Sequence, residues 1–228
     1  MLKAKSLYHL IVYSILFIIV LISSFTFIII NNTHDELQEK IYTLKTDYTN
    51  NQKELIKNHV NYIINFIDYY NETFKDKKSQ AEIQKEILQT IEKLRVNQNP
   101  NEYIFIYDFN GKLIQDAVSK NNIGENFYNL KDINGKEVIK ELITTSQKKH
   151  GGYVEYVWYK PEISKQTNKI SYSLSYNKWN WTIGKGVYLD EIDKLVKIKE
   201  EEFNQKISNY TLQITSLTIM LILYSIFI

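Results

Sequence analysis

Hydrophobic and polar positions change rhythm several times along the chain. From Leu10 to Ile30 no charged residue occurs, and Ile, Leu, Val and Phe dominate. As a helix, this run spans about 30 Å, the thickness of a bilayer's hydrocarbon core. It is longer than the apolar stretch of a cleaved signal peptide, and Ile28-Ile29-Ile30-Asn31 offers no small-residue cleavage site. The pattern predicts an uncleaved transmembrane helix over 10–30. Lys3 and Lys5 precede it, and no basic residue follows before Lys40. The positive-inside bias therefore keeps residues 1–9 in the cytoplasm and sends the next segment across the membrane. Leu212 to Ile228 forms a second charge-free run, at the short limit of a spanning helix and without a polar flank. The reading is a truncated second membrane helix over 212–228 in a fragment of a longer protein. A natural end inside the membrane is the alternative.

Between the anchors the period becomes helical. Leu37, Ile41, Leu44 and Tyr48 recur at spacings of four and three, as do Ile56, Val60, Ile63, Ile67 and Tyr70 after a polar gap. This is an amphipathic stripe of nearly coiled-coil type. It predicts a helix from about Asn32 to Tyr70 that leans on its own domain and on the same helix of a second subunit. Ile83, Ile87, Ile91 and Leu94 signal a second helix, and Ile192, Leu195 and Val196 signal a terminal one from about Asp190. A further helix is expected from about Gly135 to Lys148.

The middle of the chain alternates instead. Tyr103 to Tyr107 is β-branched and aromatic, and Asn110-Gly111 before Lys112-Leu113-Ile114 is a hairpin signal. Tyr153–Tyr159, Ile170–Tyr176 and Trp181–Tyr188 complete the strand candidates. The expected class is α+β: a long N-terminal helix and a second helix packed on a mostly antiparallel sheet, flanked by two transmembrane helices. The expected boundaries are an extracytoplasmic domain over 31–192 with its sheet core at 101–189, a connecting helix over 193–211, and the anchors above.

Composition removes several alternatives. The chain has 28 Lys+Arg, 26 Asp+Glu and no cysteine. Near-neutral charge gives no basis for nucleic-acid binding. Without cysteine there is no thiolate metal site and no cysteine nucleophile. His9, His34, His59 and His150 lie at no metal-ligand spacing, and no hydrolase, P-loop or dinucleotide motif occurs. As far as this segment goes, the chain reads as a non-enzyme with no metal and no cofactor, a longer parent protein with a kinase or cyclase output being left open.

The ordered motifs carry a resemblance. They are Asn101-Glu102-Tyr103-Ile104-Phe105-Ile106-Tyr107-Asp108 with Asn110-Gly111, then Gly124, Leu130 and Asp132 with Asn134-Gly135. Gly151-Gly152-Tyr153-Val154-Glu155-Tyr156-Val157-Trp158, Lys169-Ile170-Ser171-Tyr172 and Trp179 through Tyr188 follow. In this order, over about residues 90 to 193, the chain resembles the second type of single Cache domain, found in bacterial transmembrane receptors. The resemblance implies a PAS-like sheet and a sensor for a small molecule, in that family often acetate, propionate, lactate or pyruvate. It implies a multi-pass protein of the bacterial inner membrane with a periplasmic sensor, serving chemotaxis of the methyl-accepting type. A histidine kinase or diguanylate cyclase with its catalytic part beyond residue 228, or a tethered binding protein without output, is the alternative.

Alternation puts Tyr103, Phe105 and Tyr107 on one face of the first strand and Ile104 and Ile106 on the other. Val154, Tyr156 and Trp158 likewise share a face. These aromatics either fill the core or wall a small pocket. An anionic ligand needs a cation, and the candidates are Arg95, the only arginine, and Lys169, which matches a lysine of the family pattern. Tyr103, Tyr156 and Tyr172 supply hydroxyls. Where the family often has His-Pro, this chain has Asp116-Ala117. Asp116 either faces solvent, pairs with Lys169, or binds an amine or amino acid instead of a carboxylate. The expected partners are a small-molecule ligand with a short carboxylate favoured, the membrane, and a second copy through the long helix.

Overall fold

The computed structural model describes residues 2–93 and 101–227, with the side chains of 9–93 and 101–224. Its elements are α1 (Leu2–Phe74), α2 (Gln80–Lys93), β1 (Ile104–Asp108), β2 (Leu113–Asp116), α3 (Val138–Ser146), β3 (Gly152–Lys160), β4 (Lys165–Tyr176), β5 (Trp181–Tyr188) and α4 (Asp190–Phe227). Neither glycine nor proline occurs before Pro100, so nothing in the sequence interrupts α1. The first apolar run and the amphipathic stripe are thus one helix. Its serine and threonine hydroxyls at 14, 26, 33 and 73 bond back to carbonyls four residues earlier and stay within the helix. Helix α2 opens on a capping box, in which Glu82 accepts from the Ser79 amide at 2.9 Å while its own amide donates to Ser79 Oγ.

Two compact units result, one formed by Asp47–Ile192 and the other by the remaining helical ends. The helical ends carry the apolar runs. Leu10, Phe17, Phe27, Leu217 and Ile222 are exposed, as befits helices long and apolar enough to cross a membrane. Within this unit Lys45 and Asp193 are 3.8 Å apart, and His34 meets Phe203 edge-on.

In the unit of residues 47–192, five antiparallel strands form one sheet in the order β2-β1-β5-β4-β3. One face is a hydrocarbon core. Ile56, Val60, Ile63 and Ile67 of α1 and Ile83, Ile87 and Ile91 of α2 join Ile106, Trp181 and Ile183. Each fully buried aliphatic side chain there contributes about 1.5–3 kcal/mol. The other face carries Phe105, Tyr107, Leu113, Val154 and Tyr156 under α3, which supplies Val138, Ile139, Leu142 and Ile143. Hydroxyls also fasten α3: Ser173 donates to the Leu142 carbonyl, and Ser146 and Thr182 share a hydrogen bond of 2.9 Å.

Two loops share the pattern Asp-x-Asn-Gly-Lys. Asp108-Phe109-Asn110-Gly111-Lys112 and Asp132-Ile133-Asn134-Gly135-Lys136 each turn around their aspartate, whose Oδ1 accepts from the amides two and four residues on. Gly111 has φ +88°, and a Cβ there would meet the Tyr128 backbone. The first turn is therefore wider than a two-residue hairpin. The second starts α3 at Val138 rather than at Gly135.

Candidate ligand-binding site

Strand register assembles one polar cluster on the α3 side of the sheet. β4 pairs Lys169 with Tyr156 of β3 and with Tyr188 of β5, so these three side chains share a face. Tyr103, just before β1, arrives on the same side. Lys169 is 1% exposed. Its Nζ donates to the Tyr103 hydroxyl at 2.7 Å and lies 4.1 Å from the Tyr103 ring centroid and 4.9 Å from that of Tyr188. Those are cation–π positions. Tyr188 donates to the Tyr159 carbonyl at 2.6 Å. Tyr156 and Ser171 share a hydrogen bond of 2.8 Å.

Glycine makes room for this arrangement. A Cβ on Gly186 would stand 2.1 Å from Ser171 Oγ and 2.5 Å from Lys169 Cε, and one on Gly184 would stand 2.3 Å from the Phe105 ring. β5 thus runs bare under the lysine and the phenylalanine.

Burial governs the electrostatics. It draws the Lys169 ammonium down from the ordinary lysine value to about 7, against the opposing pull of Asp116. The same desolvation, followed by the charge of Asp116, pushes Tyr103 and Tyr107 well above the usual phenol range, and it raises Tyr188 to about 12. Among the described residues Lys169 has no salt bridge. Such an ammonium is a ready partner for a ligand anion. A cleft of about 360 Å³ opens beside it, lined by residues that include Asp132, Lys136, Tyr156, Asn168, Lys169 and Leu189.

The structure brings together most of the residues expected from sequence. Tyr103, Phe105, Tyr107, Tyr156 and Lys169 share the α3-side face, and Trp158 meets Tyr156 edge-on at 5.5 Å. Asp116 is buried there too. It pairs in register with Phe105, and its Oδ1 accepts from the amides of Val118 and Ser119 at 2.7 and 3.0 Å. It does not face solvent. Arg95 lies outside the described residues. Tyr172 is a correction: it stands three residues after Lys169 on an extended strand, hence on the opposite face. There it donates to the His150 carbonyl at 2.6 Å and packs on Tyr153. Tyr188, Ser171 and Gly186 were missed. Their parity along β4 and β5 is legible, but their apposition to Lys169 depends on strand register, which no local pattern encodes.

Residues 48–202, more than half of the chain, match the family model of the single Cache domain 2. The chain belongs to this family. Its sensor domain is homologous to those of chemoreceptors and sensor histidine kinases. Over 90 residues, 40% of the chain, it is 40% identical to the sensor histidine kinase MctS of Rhizobium johnstonii, covering 19% of that protein. Over 114 residues, 50% of the chain, it is 29% identical to the methyl-accepting chemotaxis protein McpP of Pseudomonas putida, covering 21% of it. The chain therefore spans about a fifth of the length of these relatives. Among solved structures, a methyl-accepting chemotaxis protein from Vibrio parahaemolyticus superposes with a TM-score of 0.58 at 27% identity, covering 67% of this chain and 99% of that one. A Cache chemosensory domain solved to explain carboxylic acid recognition gives 0.54 at 25% identity, covering 66% and 97%.

Proposed function

We propose that this Cache domain senses a short carboxylate outside the bacterial inner membrane, with Lys169 as the anchor for the ligand's charge. The carrying observation is the buried ammonium of Lys169, held by a tyrosine hydroxyl and two aromatic rings rather than by a salt bridge among the described residues. A carboxylate there gains a charge-assisted hydrogen bond in a desolvated site, while Tyr156, Trp158 and Phe105 suit a short alkyl tail. The carboxylic acid recognised by the related Cache chemosensory domain supports the same ligand class. Asp116, on the same face, is the reason to test amines and amino acids beside the acids.

The two apolar helical runs support a multi-pass membrane protein, and Lys3 and Lys5 support an N-terminus inside and a sensor outside. Leu55, Tyr62 and Tyr69, exposed at seven-residue intervals on α1, support a dimer through that helix. The relatives support either a chemotaxis output or a histidine kinase output beyond this segment.

The test is a thermal-shift screen of the full chain in detergent against propionate, lactate, pyruvate, alanine and putrescine. A ligand at a hundred times its dissociation constant adds about 2.7 kcal/mol of stability. The expected outcome is a rise in Tm with an acid that disappears in Lys169→Met. A rise with putrescine alone would replace the acid by an amine and make Asp116 the anchor.

A further inference from the structure

The hydrogen bonds around Lys169 do not stop at the candidate site. Lys169 donates to Tyr103 and lies over the ring of Tyr188, and Tyr188 donates to the carbonyl of Tyr159. The next residue, Lys160, is a second buried lysine, 1% exposed, and its Nζ bonds both carboxylate oxygens of Asp190 at 2.8 Å. Asp190 is the first residue of α4, the helix that continues to Phe227. The Tyr188 ring lies between the two lysines, its centroid 4.9 Å from Lys169 Nζ and 5.6 Å from Lys160 Nζ. Tyr188 also ends β5, and the Leu189 amide that follows is held by the Asn168 carbonyl next to Lys169. Residues 101–103 tie in the same parts. Asn101 donates to Glu162, which is 3.6 Å from Lys160, while Glu102 accepts from Lys185, which also bonds His59 of α1.

We propose that Tyr188 is the relay between ligand and output helix, coupling Lys169 to the Lys160–Asp190 ion pair at the start of α4. The inference rests on the sensing role proposed for Lys169. A ligand carboxylate competes with the Tyr103 hydroxyl, and with both rings, for the Lys169 ammonium. Once Lys169 turns to the ligand, Tyr103 loses its donor and both rings lose their cationic neighbour. Tyr188 has little freedom to absorb that change, because its hydroxyl is bonded to Tyr159 and its backbone is two residues from α4. The change is passed to Lys160 and Asp190, a charge pair whose lysine is buried and whose geometry is costly to disturb. A ligand can move this element only through a difference in affinity between its two arrangements.

The relay makes a prediction that needs no ligand. In the full chain, the losses in Tm caused by Tyr103→Phe and Asp190→Asn are expected to be non-additive, and to become additive once Tyr188→Phe is present. Additive losses in the parent, or non-additivity that survives Tyr188→Phe, would overturn the proposal. A ligand arm follows the same helix. The chain has no cysteine, so Lys194→Cys carries a single environment-sensitive fluorophore on α4. Propionate is expected to shift its emission in the parent. With Asp190→Asn the shift is expected to be lost while propionate affinity stays within about twofold. An undiminished shift in Asp190→Asn would overturn the relay. Absence of propionate binding to any variant would count against the carboxylate reading, and the ligand-free cycle would still decide the relay.

Discussion

The two faces of one sheet are built on different principles. Toward α1 and α2, side chains are chosen for hydrocarbon volume: seven buried aliphatic residues of the two helices meet Ile106 and Ile183. Toward α3, the same strands present Lys169, Tyr103, Tyr156, Ser171, Ser173, Thr182 and Tyr188, all buried and mostly hydrogen-bonded to one another or to backbone. A strand has no means of separating these roles except alternation, so stability and recognition occupy odd and even positions of the same few residues. Ile183 faces the helices, while Gly184 and Thr182 on either side of it face the site. The second face is where the fold gives up stability, since an ammonium out of water and paired with a phenol is less favourable than a methyl group in the same space.

The largest expected effect lies on the hydrocarbon face. Ile183→Ala should destabilise the domain by about 2–5 kcal/mol and leave ligand affinity of the folded protein unchanged, as read by denaturant unfolding beside calorimetric titration. If affinity fell with stability, the faces would not be independent. On the α3 face the sign should reverse. Lys169→Met removes a buried charge and should stabilise the domain by about 1–4 kcal/mol on the scale of buried ion replacements, while removing ligand binding. The gain has a pH signature. Because the folded-state pKa of Lys169 lies below its unfolded value, the cost of burying it is fully present below about pH 7 and fades as pH rises toward the ordinary lysine value. The advantage of the methionine variant should therefore shrink in alkaline solution. The smallest effect is geometric. Gly186→Ala places a methyl group against Lys169 Cε and should cost about 1–3 kcal/mol, with affinity falling further than stability because the displaced atom belongs to the anchor.

Much of this contrast can be read from the chain itself. The aliphatic stripe of α1, the alternation of Phe105 and Tyr107 with Ile104 and Ile106, and the bounds of β5 all follow from local periodicity. β4 extends back to Lys165 because its polar start pairs with the end of β3, a long-range contact that composition does not announce. Tyr172 could have been assigned correctly, since its odd separation from Lys169 already puts it on the other face. Tyr188 and Lys160 could not, because their place beside the anchor and beside Asp190 depends on register and on where α4 begins. Asp116 was ambiguous for a similar reason: the irregular pairing between Ile106 and Tyr107 and their β2 partners decides the face on which it emerges.

The central claim is that Lys169 in its charged form holds the ligand, and the pH dependence of propionate affinity tests it most directly. With burial drawing the Lys169 ammonium down to about 7, titration calorimetry of the full chain from pH 6 to 9 should give a constant affinity on the acid side. Above about pH 7 it should weaken about tenfold per unit, with proton uptake on binding. An affinity unchanged across that range, or one that persists in Lys169→Met, would contradict the account.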